Sequence, residues 1–275
     1  MAVRSWVALT LLGLIALSST AAVAQETEED RVKAVLTSLT DALGRGDSAA
    51  IGELVAGSGF VAVVGVMDQT MVLSKDEMLA LMANSGIPVE FQDVKVSTHW
   101  MVALVSAKAV PAGVPAEGSF VMDAILIREA GKWKFASVCL CAEDTDATQE
   151  EIKAFVDRVA TLPDSLKQGS VAELDKAVHD QRFLLALVDP SLEVRWATSK
   201  AAVTQMLQSV IPMVTVSESR LDVSRTVLGS SVAVVDGTWL LDISDFGETR
   251  TTLHAYAAKV NGEWKIVAIG GGPEK

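Results

Sequence analysis

The sequence predicts an α+β protein of two tandem units, each carrying about three N-terminal helices laid over an antiparallel sheet. Three observations lead there: a set of landmarks that occurs twice in the same order, the run of helix-type then strand-type periodicity inside each copy, and a composition rich enough for two cores. Half of the 275 residues are hydrophobic and 21% are charged, well away from the composition of disordered chains. Gly131-Lys132-Trp133-Lys134-Phe135 recurs as Gly262-Glu263-Trp264-Lys265-Ile266. Ile87-Pro88 recurs as Ile211-Pro212, behind helix starts at Ser74-Lys75 and Ser199-Lys200. Gly46 to Phe60 and Gly169 to Phe183 share one 14-residue spacing. Four landmarks in one order argue for duplication.

Residues 1–24 read as a secretory signal peptide. Arg4 precedes an apolar run from Trp6 to Leu17, and the small triplet Ala22-Val23-Ala24 sets cleavage after Ala24. That run of about 12 residues is short of the roughly 20 a membrane span needs. The expected product is an exported, soluble protein, periplasmic or extracellular, with no integral membrane segment.

The first unit, 25–141, opens on an amphipathic helix with Val32, Val35, Leu36, Leu39 and Leu43 on one face. A short helix follows, then a hairpin from Phe60–Val66 and Met71–Leu73. Ser74 with Glu77 caps a third helix over Lys75–Ala83. Strands are expected at 90–98, 100–109, 119–128 and 132–141, the last pair joined by a tight turn at Ala130-Gly131. An acidic, small-residue linker at 142–148 leads to the second unit, 149–275. There Thr148 and Glu151 form a capping box ahead of Ile152, Phe155, Val156 and Val159, and the later strands fall at 183–188, 192–196, 217–226, 231–242, 250–260 and 263–269.

The order helix, helix, hairpin, helix, long strands, closed by Gly-Lys-Trp-Lys-Phe and Gly-Glu-Trp-Lys-Ile, resembles the nuclear transport factor 2-like superfamily and its SnoaL-like or ketosteroid-isomerase-like domains. The resemblance covers 28–141 and 149–270. It implies two cone-shaped domains, each a curved antiparallel sheet wrapped by helices around an open-mouthed cavity. In that superfamily the cavity hosts isomerases, cyclases, dehydratases and epoxide hydrolases, and also members without known chemistry, so the fold leaves the function open.

Even alternation along 132–141 puts Trp133, Phe135, Ser137, Cys139 and Cys141 on one face, and the resemblance makes that face the concave one. Ser137 and Cys139 are then expected in the pocket, with Trp100, Trp196, Trp239 and Arg195 as further lining candidates. Cys139 and Cys141 are the chain's two cysteines; two residues apart on one strand they lie at or beyond the usual bridging distance, so a mutual disulfide would need local distortion. The opposite face collects Asp123, Val121, Ile125, Ile127, Val138 and Leu140, with Asp123 across from Val138. Such an apolar strip predicts packing between the two copies or between chains. His254 and Tyr256 are expected at the matching interface of the second copy, with the provision that a one-residue bulge would turn them into the pocket.

Candidate acid–base or nucleophilic residues are Asp123, His99 and Cys139, with Asp242 as a second strand carboxylate. A carboxylate buried among apolar neighbours has the raised pKa that general acid–base work uses. The three histidines show no metal-ligand spacing, and no metal or cofactor is expected. A net charge of −12 disfavours nucleic acid and anionic lipid. Three functions remain: a non-catalytic module for a small apolar ligand, an isomerase-, dehydratase- or hydrolase-type enzyme working in the first cone, and a scaffold binding partners or itself through its sheet faces.

Overall fold

The computed structural model describes residues 26–66, 69–83, 86–113, 120–142, 148–188, 194–244 and 247–274. The signal segment, the linker residues 143–147, the hairpin tips near Asp68 and Pro190, the loop 114–119 and Phe246 lie outside the described residues.

The first unit contains α1 (Glu28–Arg45), α2 (Ser48–Leu54), β1 (Val61–Val66), β2 (Gln69–Leu73), α3 (Lys75–Met82), β3 (Val89–His99), β4 (Val102–Pro111), β5 (Phe120–Glu129) and β6 (Lys132–Cys141). The second repeats the order: α4 (Gln149–Gln168), α5 (Ala172–Ala177), β7 (Leu184–Val188), β8 (Val194–Ala197), α6 (Lys200–Val210), a 3-10 turn (Ile211–Met213), β9 (Val216–Leu228), β10 (Val232–Ile243), β11 (Gly247–Val260) and β12 (Glu263–Pro273). The two six-stranded sheets have the same order, β2-β1-β6-β5-β4-β3 and β8-β7-β12-β11-β10-β9. Within each, only the β1–β6 and β7–β12 pairings are parallel.

The repeated landmarks have physical reasons. Gly46 and Gly169 end α1 and α4 in the left-handed conformation, at φ 62° and 66°. Ala130-Gly131 and Asn261-Gly262 both have positive φ, the geometry of a two-residue turn that matches strand twist. Trp133 and Trp264 lie beneath the long helices: Trp133 Nε1 donates to Glu28 Oε2 at 2.8 Å, and Trp264 packs on Phe155 with ring centroids 5.5 Å apart. The capping boxes at Ser74/Glu77 and Thr148/Glu151 are formed, and Thr27/Asp30 makes a third.

Helices cover one face of each sheet, and the other two faces pack against each other, giving a helix–sheet–sheet–helix stack. The central layer is a mixed core in which Val61, Val63 and Ile125 of the first unit meet Leu184, Val234 and Tyr256 of the second. Close approach explains why β12 runs past residue 269 through three glycines. A Cβ at Gly270 would stand 2.8 Å from Ile125 side-chain carbons, and one at Gly272 would stand 2.4 Å from His99 Cβ.

One local feature reverses part of the expected facing. The pairing of β5 with β6 shifts between Ile125 and Leu126, so that Ala136 is an extra residue on β6. Trp133 and Phe135 face the helices, but beyond the bulge the phase slips by one. Asp123 therefore pairs with Cys139 instead of Val138. The second unit has the same device: the β11–β12 register shifts at Tyr256/Ala257, leaving Val267 extra.

Candidate functional site

A cavity of about 300 Å³ opens inside the first unit between its sheet and its helices. Leu39 and Leu43 come from α1, Met122 from β5, and Phe135, Val138 and Leu140 from β6. Met78, Leu81 and Met82 of α3 complete it, with Ile87 beyond that helix. Leu81 and Ile87 are 57% and 51% exposed, which marks the mouth. Among the described residues every lining side chain is apolar, so none of these can transfer a proton, attack a carbon or hydrogen-bond a ligand.

The second unit is built differently at the same place. Ala109 of β4 pairs with Phe120 of β5, and the corresponding pair on β10 and β11 is Trp239 with Thr251. Ala109 lines the cavity, whereas Trp239 is buried in the helix-facing core of the second unit with Phe155 and Trp264. Helices α3 and α6 follow suit. No residue of α3 is buried, while Val203 and Leu207 of α6 sink into their core.

The acidic candidate lies elsewhere. Asp123 is fully buried between the two sheets, where Arg225 Nη1 donates to Asp123 Oδ1 at 2.9 Å and to Asp236 Oδ2 at 2.7 Å. Arg225 Nη2 reaches Asp123 Oδ2 at 3.2 Å. His254 stands between the carboxylates, with Nδ1 bonded to Asp236 Oδ1 and Nε2 3.5 Å from Asp123 Oδ1. Burial is the largest effect on Asp123 and pushes its carboxyl up, against the pull of His254 and Arg225. Burial is also the largest single effect on His254 and favours the neutral ring, but Asp236 and Asp123 together outweigh it and hold its pKa above the ordinary value. Asp123, Asp236, Arg225 and His254 make a quartet of oppositely charged group types joining the units.

Asp123, Asp236 and His254 offer donor types suited to a metal, with ligand atoms within 4.8 Å of one another. The Arg225 guanidinium bridges the two carboxylates, so the protein's own cation holds the position a metal would need. The quartet fits an ion network between sheets better than a metal centre.

The candidate residues named from the sequence therefore divide, and the bulges account for most of the division. Ser137 and Cys139, expected in the pocket, lie on the sheet–sheet side: Ser137 Oγ donates to Val61 O at 2.8 Å, and Cys139 belongs to the central core. Val138 and Leu140, expected at the interface, line the cavity instead. Ile125 sits in the central core and Val121 and Ile127 pack against it, because β5 itself carries no extra residue. His254 and Tyr256 are also between the sheets. The bulge that would have turned them lies on β12, leaving the alternation of β11 intact. His99 is buried beneath Gly272, its Nδ1 3.0 Å from Pro273 O and its Nε2 3.0 Å from Ser97 Oγ, away from the cavity. Both cysteines are buried, and burial drives the Cys139 thiol well up, which disfavours the thiolate a nucleophile needs.

Trp100 is a turn residue with φ 49°, 57% exposed, and Trp196 packs against the central core. Neither lines the cavity. The side chain of Arg195 lies outside the described residues. Asp242 is a strand-end carboxylate accepting from Ser217 Oγ at 2.6 Å. Sequence reasoning missed Asp236 and Arg225. The signal for Asp236 was present, a carboxylate inside the apolar run Val232–Val235 that reads like the one around Asp123.

No protein-family model and no curated protein matches the chain. Solved structures similar to parts of the chain include NTF2-like proteins. One of unknown function from Silicibacter pomeroyi is 18% identical, with 40% of this chain and 91% of that one covered and a TM-score of 0.35. Another of unknown function from Shewanella baltica is 18% identical over 47% and 99%, with a TM-score of 0.38. An NTF2-like protein from Cytophaga hutchinsonii is 14% identical over 46% and 100%, with a TM-score of 0.37. Each is spanned almost whole by less than half of this chain. The α+β architecture itself rests on the sheet order and layering described above. Among the described residues no helix is long and apolar enough to cross a membrane.

Proposed function

We propose that this is an exported, non-catalytic binding module that holds a small apolar molecule in the cone of the first unit, while the second unit serves as its filled structural partner. The observation that carries this reading is a cavity of about 300 Å³ whose lining, among the described residues, is apolar throughout. Burying hydrocarbon there gains roughly 25 cal/mol for each Å² removed from water, with no polar group to desolvate. Engineered apolar cavities of about 150 Å³ stay dry and bind benzene. The ligand suited to twice that space is a hydrocarbon body of two rings or an equivalent chain, with any polar group left at the mouth. The residues an enzymatic reading requires, Asp123, His99 and Cys139, are held between the sheets and give it no support inside the cone.

The test is a native mass spectrum of gently purified exported protein against its denatured spectrum, paired with titration by the uncharged fluorescent probe N-phenyl-1-naphthylamine. A stoichiometric released mass and saturable probe binding, both lost in Ala109→Trp, are expected. Probe binding that survives Ala109→Trp in a folded protein would place the apolar site elsewhere and overturn the reading.

A further inference from the structure

Helix α3 covers the cavity yet buries none of its own residues. Met78, Leu79 and Met82 are only partly buried against the first unit's core, and Leu81 is open to solvent. An amphipathic helix of eight residues held this loosely is too short to be stable by itself, so its position depends on what ties it down.

Two ties are visible. Within the unit, Lys75 Nζ donates to Gly52 O at 2.8 Å at the end of α2. The other tie comes from the second unit. Arg182, just ahead of β7, reaches across with Nη2 2.8 Å and 2.6 Å from the two carboxylate oxygens of Glu77, and with Nη1 bonded to Val72 O of β2. One guanidinium therefore grips both the first turn of α3 and the strand leading into it, using the fork geometry that distinguishes arginine from lysine.

The grip is itself supported. The backbone N–H groups of Gln181 and Arg182 donate to His179 Nδ1 at 3.3 and 3.2 Å, fixing the turn from which Arg182 projects. Glu77 also accepts from Ser74 N at 2.8 Å, so the carboxylate that receives Arg182 closes the helix cap. The hydrogen bond from Arg182, ahead of those from Ser74, lowers the Glu77 pKa to about 2, keeping the pair charged at every pH where the protein would work.

We infer that Arg182 is a positioning residue for the apolar cavity: through Glu77 it lets the second unit set how tightly α3 closes over the first unit's cone and how fast a ligand exchanges. This rests on the binding function proposed above. It also gives the second unit a part in binding. The pair is partly exposed and modest in energy, so the consequence is local loosening of α3 with the fold retained.

The test compares wild type, Arg182→Gln, Glu77→Gln and the double variant in full-length mature protein. Glutamine at 77 still closes the cap, so Glu77→Gln removes the ion pair with the helix start preserved. Amide exchange over residues 75–82 is expected to rise roughly three- to tenfold in each single variant and no further in the double one, with α1 unchanged. The dissociation rate of N-phenyl-1-naphthylamine is expected to rise in parallel. Unchanged exchange in α3, or exchange rising equally in α1 and α3, would overturn the role of Arg182 whether or not any probe binds. Faster exchange confined to α3 together with probe binding insensitive to Ala109→Trp would keep the tether and remove the cavity reading.

Discussion

Ala109 and Trp239 hold the same position in two copies of one sheet: Ala109 lines the cavity of the first unit, and the Trp239 indole is buried in the core of the second. The neighbours across the strand change in the opposite sense, Phe120 beside Ala109 and Thr251 beside Trp239. Ala109→Trp is expected to fill the first cavity with the fold kept, most comfortably combined with Phe120→Thr. Trp239→Ala is expected to cost about 3–5 kcal/mol and to open a second apolar site. Chemical denaturation gives the cost, and probe stoichiometry rising from one towards two shows the new site. A stoichiometry still at one in a folded Trp239→Ala protein would mean that the second cone collapses when the indole is removed.

The quartet between the sheets predicts a pH dependence. The folded-state pKa of His254 is raised, so the imidazolium's contribution is complete below the unfolded value near 6.5 and is lost as pH rises through the folded one. Stability should therefore fall on the alkaline side, and His254→Asn should flatten that limb. Arg225→Met leaves two carboxylates facing each other and is expected to cost about 3–5 kcal/mol near neutrality. Urea midpoints measured from pH 6 to pH 9.5 check both, and an alkaline limb as steep in His254→Asn as in wild type would assign it to other groups.

Tyr256 is fully buried beside this quartet, and its hydroxyl has no hydrogen-bond partner among the described residues. Tyr256→Phe keeps the ring against His254, whose centroid lies 5.1 Å away, and removes a desolvated polar atom. An increase in stability of about 1 kcal/mol is expected. Thermal unfolding measures it, and a loss of similar size would show that the hydroxyl is satisfied in solution.

Ala130 and Asn261 occupy equivalent left-handed positions, at φ 50° and 52°. The conformation strains an alanine by about 1–2 kcal/mol and is tolerated by asparagine. Ala130→Asn should stabilise the first unit by about 0.5–1 kcal/mol while Asn261→Ala destabilises the second by as much. The two shifts in unfolding midpoint should be opposite in sign, and equal signs would refute the equivalence of the turns.

How far the site was legible depends on the range of the signals that carry it. Ser74/Glu77, Thr148/Glu151 and the two Gly-x-Trp turns are read correctly from a few neighbouring residues, because caps and turns are local chemistry. The facing of Val138, Leu140, Ser137 and Cys139 is not, because one extra residue, Ala136, inverts all of them. Nothing in the composition of Phe135-Ala136-Ser137 announces a bulge, and side-chain alternation is blind to a slip of one.

The sequence by itself determined the repeated order of landmarks, the α+β class, the capped helix starts at Ser74 and Thr148 and an apolar sheet face around Asp123, since periodicity and repetition survive without knowledge of neighbours. Only the tertiary structure decided which side of each closing strand lines the cone, that Asp123 meets Asp236, His254 and Arg225, and that Trp239 is buried in one core while Ala109 lines a cavity in the other. These facts depend on residues far apart in the chain: Arg225 finds Asp123 102 positions away, and Arg182 finds Glu77 105 positions away. Partners at that distance leave no pattern in one sequence, and their meeting is fixed by the way two sheets dock.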